Sequence, residues 1–317
     1  MGNKQFDEGK FARRFVYYDI DFEKNDVIVE DRTEILTRLR TDPSGEITRA
    51  MTHLESEARL YRERFMVRLL LRGEQDMFSL NASQRIAYFS HALEWNRIES
   101  GDVSIPFTWD WAAFWLELQA TGNATLAQPF HQICDNCLKA GRFVNRSNGQ
   151  QRSFSADQKL LPFALEMQAA TQDGTIDWDS FGIPADRFWL DCARRGLTEP
   201  DPARAAQWVH DLCDAHQAAA NTQGDTGGTD VLAGNEIDEP SHFLWPITVH
   251  AFIRLRRQIG LPDPDSVDHP LLRTSFAPLL DTISGPERWQ AEPWFSDIVD
   301  ICTAQIPALQ DAKDLVL

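Results

Sequence analysis

Apolar residues recur at intervals of three and four along most of this chain, with polar residues between them. The clearest case lies within residues 45–72, where the repeating apolar positions are Ile47, Met51, Leu54, Ala58, Tyr61, Phe65 and Leu69. This spacing places the apolar side chains on one face of an α-helix and the charged side chains on the other. We therefore predict a long amphipathic helix over residues 45–72 that ends at Gly73.

The same spacing predicts helices along the rest of the chain. They are expected over residues 83–95, 109–118, 126–144, 157–171, 185–195, 203–220, 244–259, 275–282 and 294–308. Only residues 15–20 and 26–29 are rich enough in β-branched and aromatic side chains to suggest short strands. The pattern predicts an all-α fold, an irregular multi-helix bundle or solenoid-like array, with at most a minor β element near residues 15–30.

Residues 221–240 interrupt this pattern. The stretch is rich in glycine, threonine and acidic residues and contains no basic residue. Such a composition is typical of a loop or linker. We therefore expect a helical main body over residues 1–220 and a C-terminal helical segment over residues 241–317 that packs on the main body.

The composition indicates a folded, acidic protein. Of 317 residues, 43% are hydrophobic and ten are tryptophans, and 48 acidic side chains stand against 31 basic ones, for a net charge of −17. This charge repels phosphates, so we predict that the protein binds neither nucleic acid nor an anionic membrane. The five cysteines and the absence of an apolar leader at the N-terminus predict reduced thiols in the cytoplasm.

Two clusters of histidine and cysteine have spacings that suit metal ligands. Their members are His131, Cys134, Cys137, Cys213 and His216. Two cysteines with two histidines would satisfy tetrahedral zinc. However, both segments are predicted to be helical, and buried free cysteines are common in helical cores. We therefore predict buried thiols and no metal site.

The sequence contains none of the familiar catalytic motifs. It has no nucleophile elbow, phosphate-binding loop or His-Glu-x-x-His sequence. Asp173, Asp177 and Asp179 alternate like the start of a calcium loop, but Trp178 and Pro184 occupy the positions that need glycine and glutamate. We expect these aspartates to cap a turn, and we predict that the protein is not an enzyme and needs no cofactor.

Acidic residues are concentrated in one stretch of the chain. Residues 171–240 hold 14 acidic side chains against 4 basic ones. This excess could be a solvated face, or it could attract a basic partner, because complementary charge speeds the encounter of two proteins. Under the second interpretation the predicted contact residues are Asp225, Asp230, Glu236, Asp238 and Glu239.

Two segments resemble parts of a known class of proteins. Residues 244–264, continuing to Asp268-His-Pro-Leu-Leu, and the aromatic stretch 109–123 are similar to large helical immunity proteins that accompany bacterial polymorphic toxins and type VI secretion effectors. The resemblance, by similarity of pattern, extends over about a third of the chain. The resemblance implies a cytoplasmic protein without catalytic residues that binds and blocks a cognate toxin, often a nuclease.

Three functions are therefore compatible with the sequence. The favoured one is an immunity-type inhibitor that binds a basic toxin or effector domain through an acidic surface. The second is a helical adaptor or scaffold for another basic protein. The third is a metal-dependent hydrolase whose histidines and aspartates come together only in the fold. The sequence leaves the oligomeric state open.

Overall fold

The computed structural model describes residues 8–19, 24–101, 108–143, 157–220, 236–283 and 289–317. The predicted all-α class is confirmed: these residues form fourteen α-helices and no strand. The helices are α1 (Glu8–Ala12), α2 (Asp26–Thr41), α3 (Ile47–Arg72), α4 (Met77–Ser100), α5 (Thr108–Ala120), α6 (Ala124–Lys139), α7 (Leu160–Ala170), α8 (Arg187–Asp191), α9 (Pro202–Ala219), α10 (Pro240–Leu244), α11 (Ile247–Gln258), α12 (Leu279–Thr282), α13 (Pro293–Gln305) and α14 (Gln310–Val316).

The described residues of 15–20 and 26–29 do not form the short strands that their composition suggested. Arg13–Tyr18 forms a 3-10 turn, and residues 26–29 are the first turn of α2. The side chain of Asn25 accepts a hydrogen bond from the backbone N–H of Ile28 at 3.2 Å, which satisfies one of the free donors at the helix start. This cap, together with the packing of one face of α2, outweighs the strand preference of a few β-branched residues.

The chain divides into two compact units that differ from the predicted division. Unit 1 comprises Met1–Ser104 and Pro286–Leu317, and unit 2 comprises Ile105–Gly285. The predicted C-terminal segment, 241–317, is therefore shared between the two units. The predicted main body, 1–220, is likewise divided after Ser104.

In unit 1 the long helices α3 and α4 pack against each other, while α13 packs on α2 and α14 packs on α4. The predicted apolar positions of α3, among them Leu54, Tyr61 and Phe65, are buried. The helix ends where predicted, at Gly73, whose φ of +69° is a left-handed conformation that favours glycine.

A buried ion pair joins α2 to α3 inside unit 1. Arg32 donates two parallel hydrogen bonds to the carboxylate of Glu57, at 2.9 and 2.7 Å, and a third to the Tyr61 hydroxyl at 3.2 Å. The Trp294 ring of α13 lies 4.4 Å from the guanidinium carbon, and the Tyr61 hydroxyl donates to Glu292 at 2.7 Å. The network thus connects three helices through one cation.

Unit 2 is built around α5, which packs against α6, α7 and α11. Its residues are buried on all sides except at Asp110, so the helix forms the interior of this unit. Trp111, Phe114 and Trp115 are core residues, as the spacing predicted. The side chains of Phe163, Trp245, Phe252 and Phe276 complete the same core.

Replacing Arg32 with methionine should strongly destabilise the protein. The substitution leaves the Glu57 carboxylate, which is 2% exposed, without its cation. Loss of one partner of a buried pair typically costs about 3–5 kcal/mol in the free energy of unfolding. Urea denaturation measures this loss.

Arg40→Met is the matched control, because Arg40 lies on the same helix and pairs with Asp297 at an exposed position. A surface pair of this kind contributes about 1 kcal/mol or less. Equal losses in the two variants would contradict a special role for the Arg32 network.

Candidate functional site

The predicted contact residue Glu236 is buried rather than exposed. Its carboxylate oxygens accept hydrogen bonds from the backbone N–H groups of Lys159 and Leu160, each at 2.8 Å. These donors lie at the start of α7, where the helix dipole favours a negative charge. Because the carboxylate is enclosed, a partner cannot reach it, and we remove Glu236 from the predicted contact surface.

Enclosure also changes the acidity of this side chain. Burial raises the pKa of Glu236 to about 7, although the two backbone N–H groups act in the opposite direction. The group therefore titrates close to neutral pH in the folded protein. Its role is to hold the chain after residue 235 against the start of α7.

The remaining predicted contact residues have different positions. Asp238 is exposed and Glu239 is half-buried at the start of α10, whereas Asp225 and Asp230 lie outside the described residues. The backbone N–H of Ile237 donates to the carbonyl oxygen of Ala219 at 3.0 Å. The described residues on either side of 221–235 are thus hydrogen-bonded to each other within unit 2.

Exposed carboxylates outnumber basic groups over the described part of 171–240. The basic side chains of this stretch each lie within 4.0 Å of an acidic one: Arg187 and Arg195 near Asp191, Arg194 near Glu166, and Arg204 near Glu199. In contrast, four exposed aspartates form no ion pair with any described residue, namely Asp173, Asp177, Asp179 and Asp238. The negative charge of the stretch is therefore concentrated at these positions.

Three of these aspartates share one turn, which we call the acidic turn (residues 173–179). It follows the end of α7 and leads into the 3-10 turn Trp178–Phe181. Asp173 has a left-handed φ of +56°, a conformation that aspartate tolerates better than most residues. The three aspartates lie on a turn as expected, but Asp177 precedes the 3-10 turn without a side-chain capping hydrogen bond, so the predicted capping role is not seen.

Glu166 of α7 holds the acidic turn from the interior of unit 2, where its side chain is fully buried. The Glu166 carboxylate accepts hydrogen bonds from the Trp178 indole at 2.8 Å and from the backbone N–H of Ile176 at 3.2 Å. Arg194 donates both to Glu166, at 2.7 Å, and to the Ile176 carbonyl, at 2.9 Å. These contacts hold the turn in place and present its aspartates to solvent.

The histidines and cysteines that suggested zinc have other roles. His131, Cys134 and Cys137 lie on α6, and Cys213 and His216 lie on α9. Burial raises the pKa of the Cys134 thiol well above its usual range and that of Cys213 to about 12, which opposes the thiolate form that metals bind. Within the described ranges, no three His, Cys, Asp or Glu side chains are placed to hold a metal ion.

His216 belongs to a buried polar network instead. Its Nε2 lies 2.8 Å from the carbonyl oxygen of His242, which can only accept, so Nε2 carries the hydrogen. Its Nδ1 lies 2.9 Å from the Thr248 hydroxyl and accepts from it. Burial lowers the pKa of His216 to about 4, which keeps the ring neutral. Neither ring nitrogen remains for a ligand.

The same network contains a carboxylate–imidazole pair. Glu117 of α5 lies 2.9 Å from Nε2 of His242 on α10. Such a pair can move protons when a reacting group reaches it. Here both side chains are enclosed in the core, with 0% and 1% exposure, so the pair joins α5 to α10 and does not face a substrate.

Sequence reasoning missed the acidic turn as a candidate contact surface, and it missed the Glu117–His242 pair. Asp173, Asp177 and Asp179 were considered only as a failed calcium loop and as caps of a turn. A signal was present, because three closely spaced aspartates flank a tryptophan that can anchor the turn from inside. Glu117 gave a weaker signal, as a single acid within an otherwise apolar aromatic helix.

Comparisons with protein-family models, with curated proteins and with solved structures give no match for this chain. The resemblance to immunity proteins therefore stays a prediction. None of the described helices combines the length and apolar character needed to cross a membrane.

Glu236→Gln should change how stability depends on pH. Because the pKa of Glu236 is raised on folding, its protonated form is favoured in the folded state, and the stability it contributes is lost as pH rises from about 4.5 to about 7. In the variant this fall in the free energy of unfolding, at most about 3 kcal/mol, should be missing. Urea denaturation at several pH values measures it.

Asp238→Asn is the control, since it removes an exposed carboxylate two residues away. This variant should keep the wild-type fall in stability across the same pH range. If the two variants have the same pH dependence, the titration of Glu236 is not its cause.

Proposed function

We propose that this protein is a non-catalytic binding protein that holds a cationic partner protein against the acidic surface of unit 2. The acidic turn is the centre of this surface. The observation that carries the proposal is that Asp173, Asp177 and Asp179 are exposed, form no ion pair with a described residue, and stand on a turn fixed by buried contacts.

Binding is more favourable when the binding surface is already ordered. A segment that becomes ordered only when a partner binds loses conformational entropy, and this loss opposes binding. The acidic turn is already held by Glu166, Trp178 and Arg194, so less ordering is required on binding. Uncompensated negative charge also raises the rate at which a basic protein approaches.

The finer proposal is an immunity protein whose partner is a basic toxin or effector domain. A nuclease must present lysine and arginine to phosphates, and a rigid acidic surface competes for those groups. The resemblance of residues 109–123 and 244–264 to immunity proteins supports the same assignment. An adaptor would use the same surface but would leave the activity of its partner intact.

The first test captures the partner. Immobilised protein is exposed to a lysate of its own host at low ionic strength, and bound proteins are eluted with a salt gradient. We expect one basic protein in stoichiometric amount, because screening weakens exposed charge pairs. Inhibition of that protein's activity by the purified chain would support the immunity function. Capture only of acidic or neutral proteins that resist salt would contradict the charge mechanism.

The acidic turn itself is tested with Asp177→Asn/Asp179→Asn. At low salt the double variant should associate with the captured partner more slowly, by a factor on the order of three or more, with a smaller change in dissociation. Stopped-flow or surface-based kinetics measure both rates. The matched control is Glu30→Gln/Asp31→Asn, which removes two exposed acids from α2 of unit 1.

Equal association rates for these two double variants would remove the acidic turn from the interface. Asp238→Asn/Glu239→Gln tests the part of the predicted stretch that lies within the described residues. A slower association in that variant would extend the contact surface toward α10.

A further inference from the structure

A pocket of about 260 Å³ opens in unit 2. It lies among α9, α11, α12 and the loop 261–269. Most of its wall is aliphatic, from Val209, Ile253, Leu272, Ala277 and Leu280. The volume is just below the range of about 300–1,000 Å³ for drug-sized ligand sites, so it suits a small molecule.

His250 of α11 lines this pocket and is itself 0% exposed. Its Nδ1 accepts a hydrogen bond from the Trp245 indole at 3.2 Å. Because an indole N–H can only donate, Nδ1 is unprotonated, and the hydrogen of the neutral ring is on Nε2. Burial lowers the pKa of His250 to about 3, which keeps the ring neutral.

Nε2 of His250 is buried and has no hydrogen-bond partner among the described residues. Nearly all buried donors in folded proteins have a partner, and a missing one is costly. An acceptor atom on a ligand in the pocket would remove this cost. The histidine therefore provides one directional contact beside the aliphatic side chains of the wall.

The lining also contains three aspartates and one arginine. Arg257 donates to Asp263 twice, at 2.8 Å each, and to Asp281 at 2.8 Å, so its guanidinium is already paired. Asp265 contributes a third carboxylate, and its backbone N–H is fixed by the Pro202 carbonyl at 3.1 Å. Asp263 and Asp281 are occupied by Arg257, whereas Asp265 is exposed and forms no ion pair with a described residue, so Asp265 can pair with a cationic end of a ligand.

We propose that this pocket binds a small hydroxylated amine with an apolar middle, such as a phenolic amine. The ligand oxygen accepts from Nε2 of His250, the apolar body packs among the aliphatic side chains, and the ammonium group lies near Asp265. The site is separate from the acidic turn, so its test does not depend on the proposed function.

Three compounds of similar size test each part of the site. Tyramine has the phenolic oxygen, the ring and the ammonium group; phenethylamine lacks only the oxygen; and 3-(4-hydroxyphenyl)propionic acid carries a carboxylate in place of the ammonium group. Isothermal titration should give saturable binding of tyramine and affinity about tenfold lower for phenethylamine, the value of one buried hydrogen bond. The acid should not bind.

The contact between the ligand and His250 can be measured separately by NMR. In ¹H–¹⁵N NMR spectra of the imidazole region, the Nε2–H signal of His250 should shift on addition of tyramine and move much less with phenethylamine.

Asp265→Asn should weaken tyramine binding several-fold, and Ala277→Met should abolish it by filling the pocket. Asp268→Asn is the control, because Asp268 is an exposed acid of the same loop outside the pocket lining.

The proposal is overturned if tyramine does not bind saturably, or if all three compounds bind equally. It is also overturned if Asp265→Asn and Asp268→Asn have the same effect. Any of these results leaves the assignment of the acidic turn untouched, since that turn is tested with a protein partner.

Discussion

A carboxylate that is removed from water must accept hydrogen bonds from nearby donors, and this constraint organises the described part of unit 2. Glu117, Glu166 and Glu236 are buried there, and each one joins elements that are distant in sequence. A buried acid without donors would cost several kcal/mol. The positions of these acids therefore fix α10, the acidic turn and the chain after residue 235.

Helix α7 is involved with two of these buried acids, Glu166 and Glu236. Glu236 binds the free backbone N–H groups at its start, and Glu166 reaches from its body to the acidic turn that follows its end. The acids inside the fold are thus structural, whereas Asp177 and Asp179 outside remain available for binding. In the function that we propose, a chain with a net charge of −17 thus uses some of its carboxylates for stability and others for recognition.

Polar groups in the core fall into two kinds. The ring of His216 has both nitrogens satisfied, and Arg32 of unit 1 is held by Glu57 and Tyr61, so these groups specify packing. His250 differs, because one of its nitrogens has no described partner and the ring lines a pocket. Satisfied groups rigidify a fold, while an unsatisfied donor beside a cavity is suited to a ligand.

The sequence by itself determined the all-α class, most helix positions and the end of α3 at Gly73, because helical spacing and capping are local properties. Asp238, one of the predicted contact residues, is exposed, and its contact with a partner stays a prediction. Only the tertiary structure decided that Glu236 is internal and that the chain divides after Ser104. The physical reason is that burial, and the donors that satisfy a buried carboxylate, come from residues far apart in sequence. The sequence shows where an acidic residue occurs. Whether its side chain stabilises the fold or is exposed to a binding partner depends on hydrogen-bond donors that are distant in the sequence.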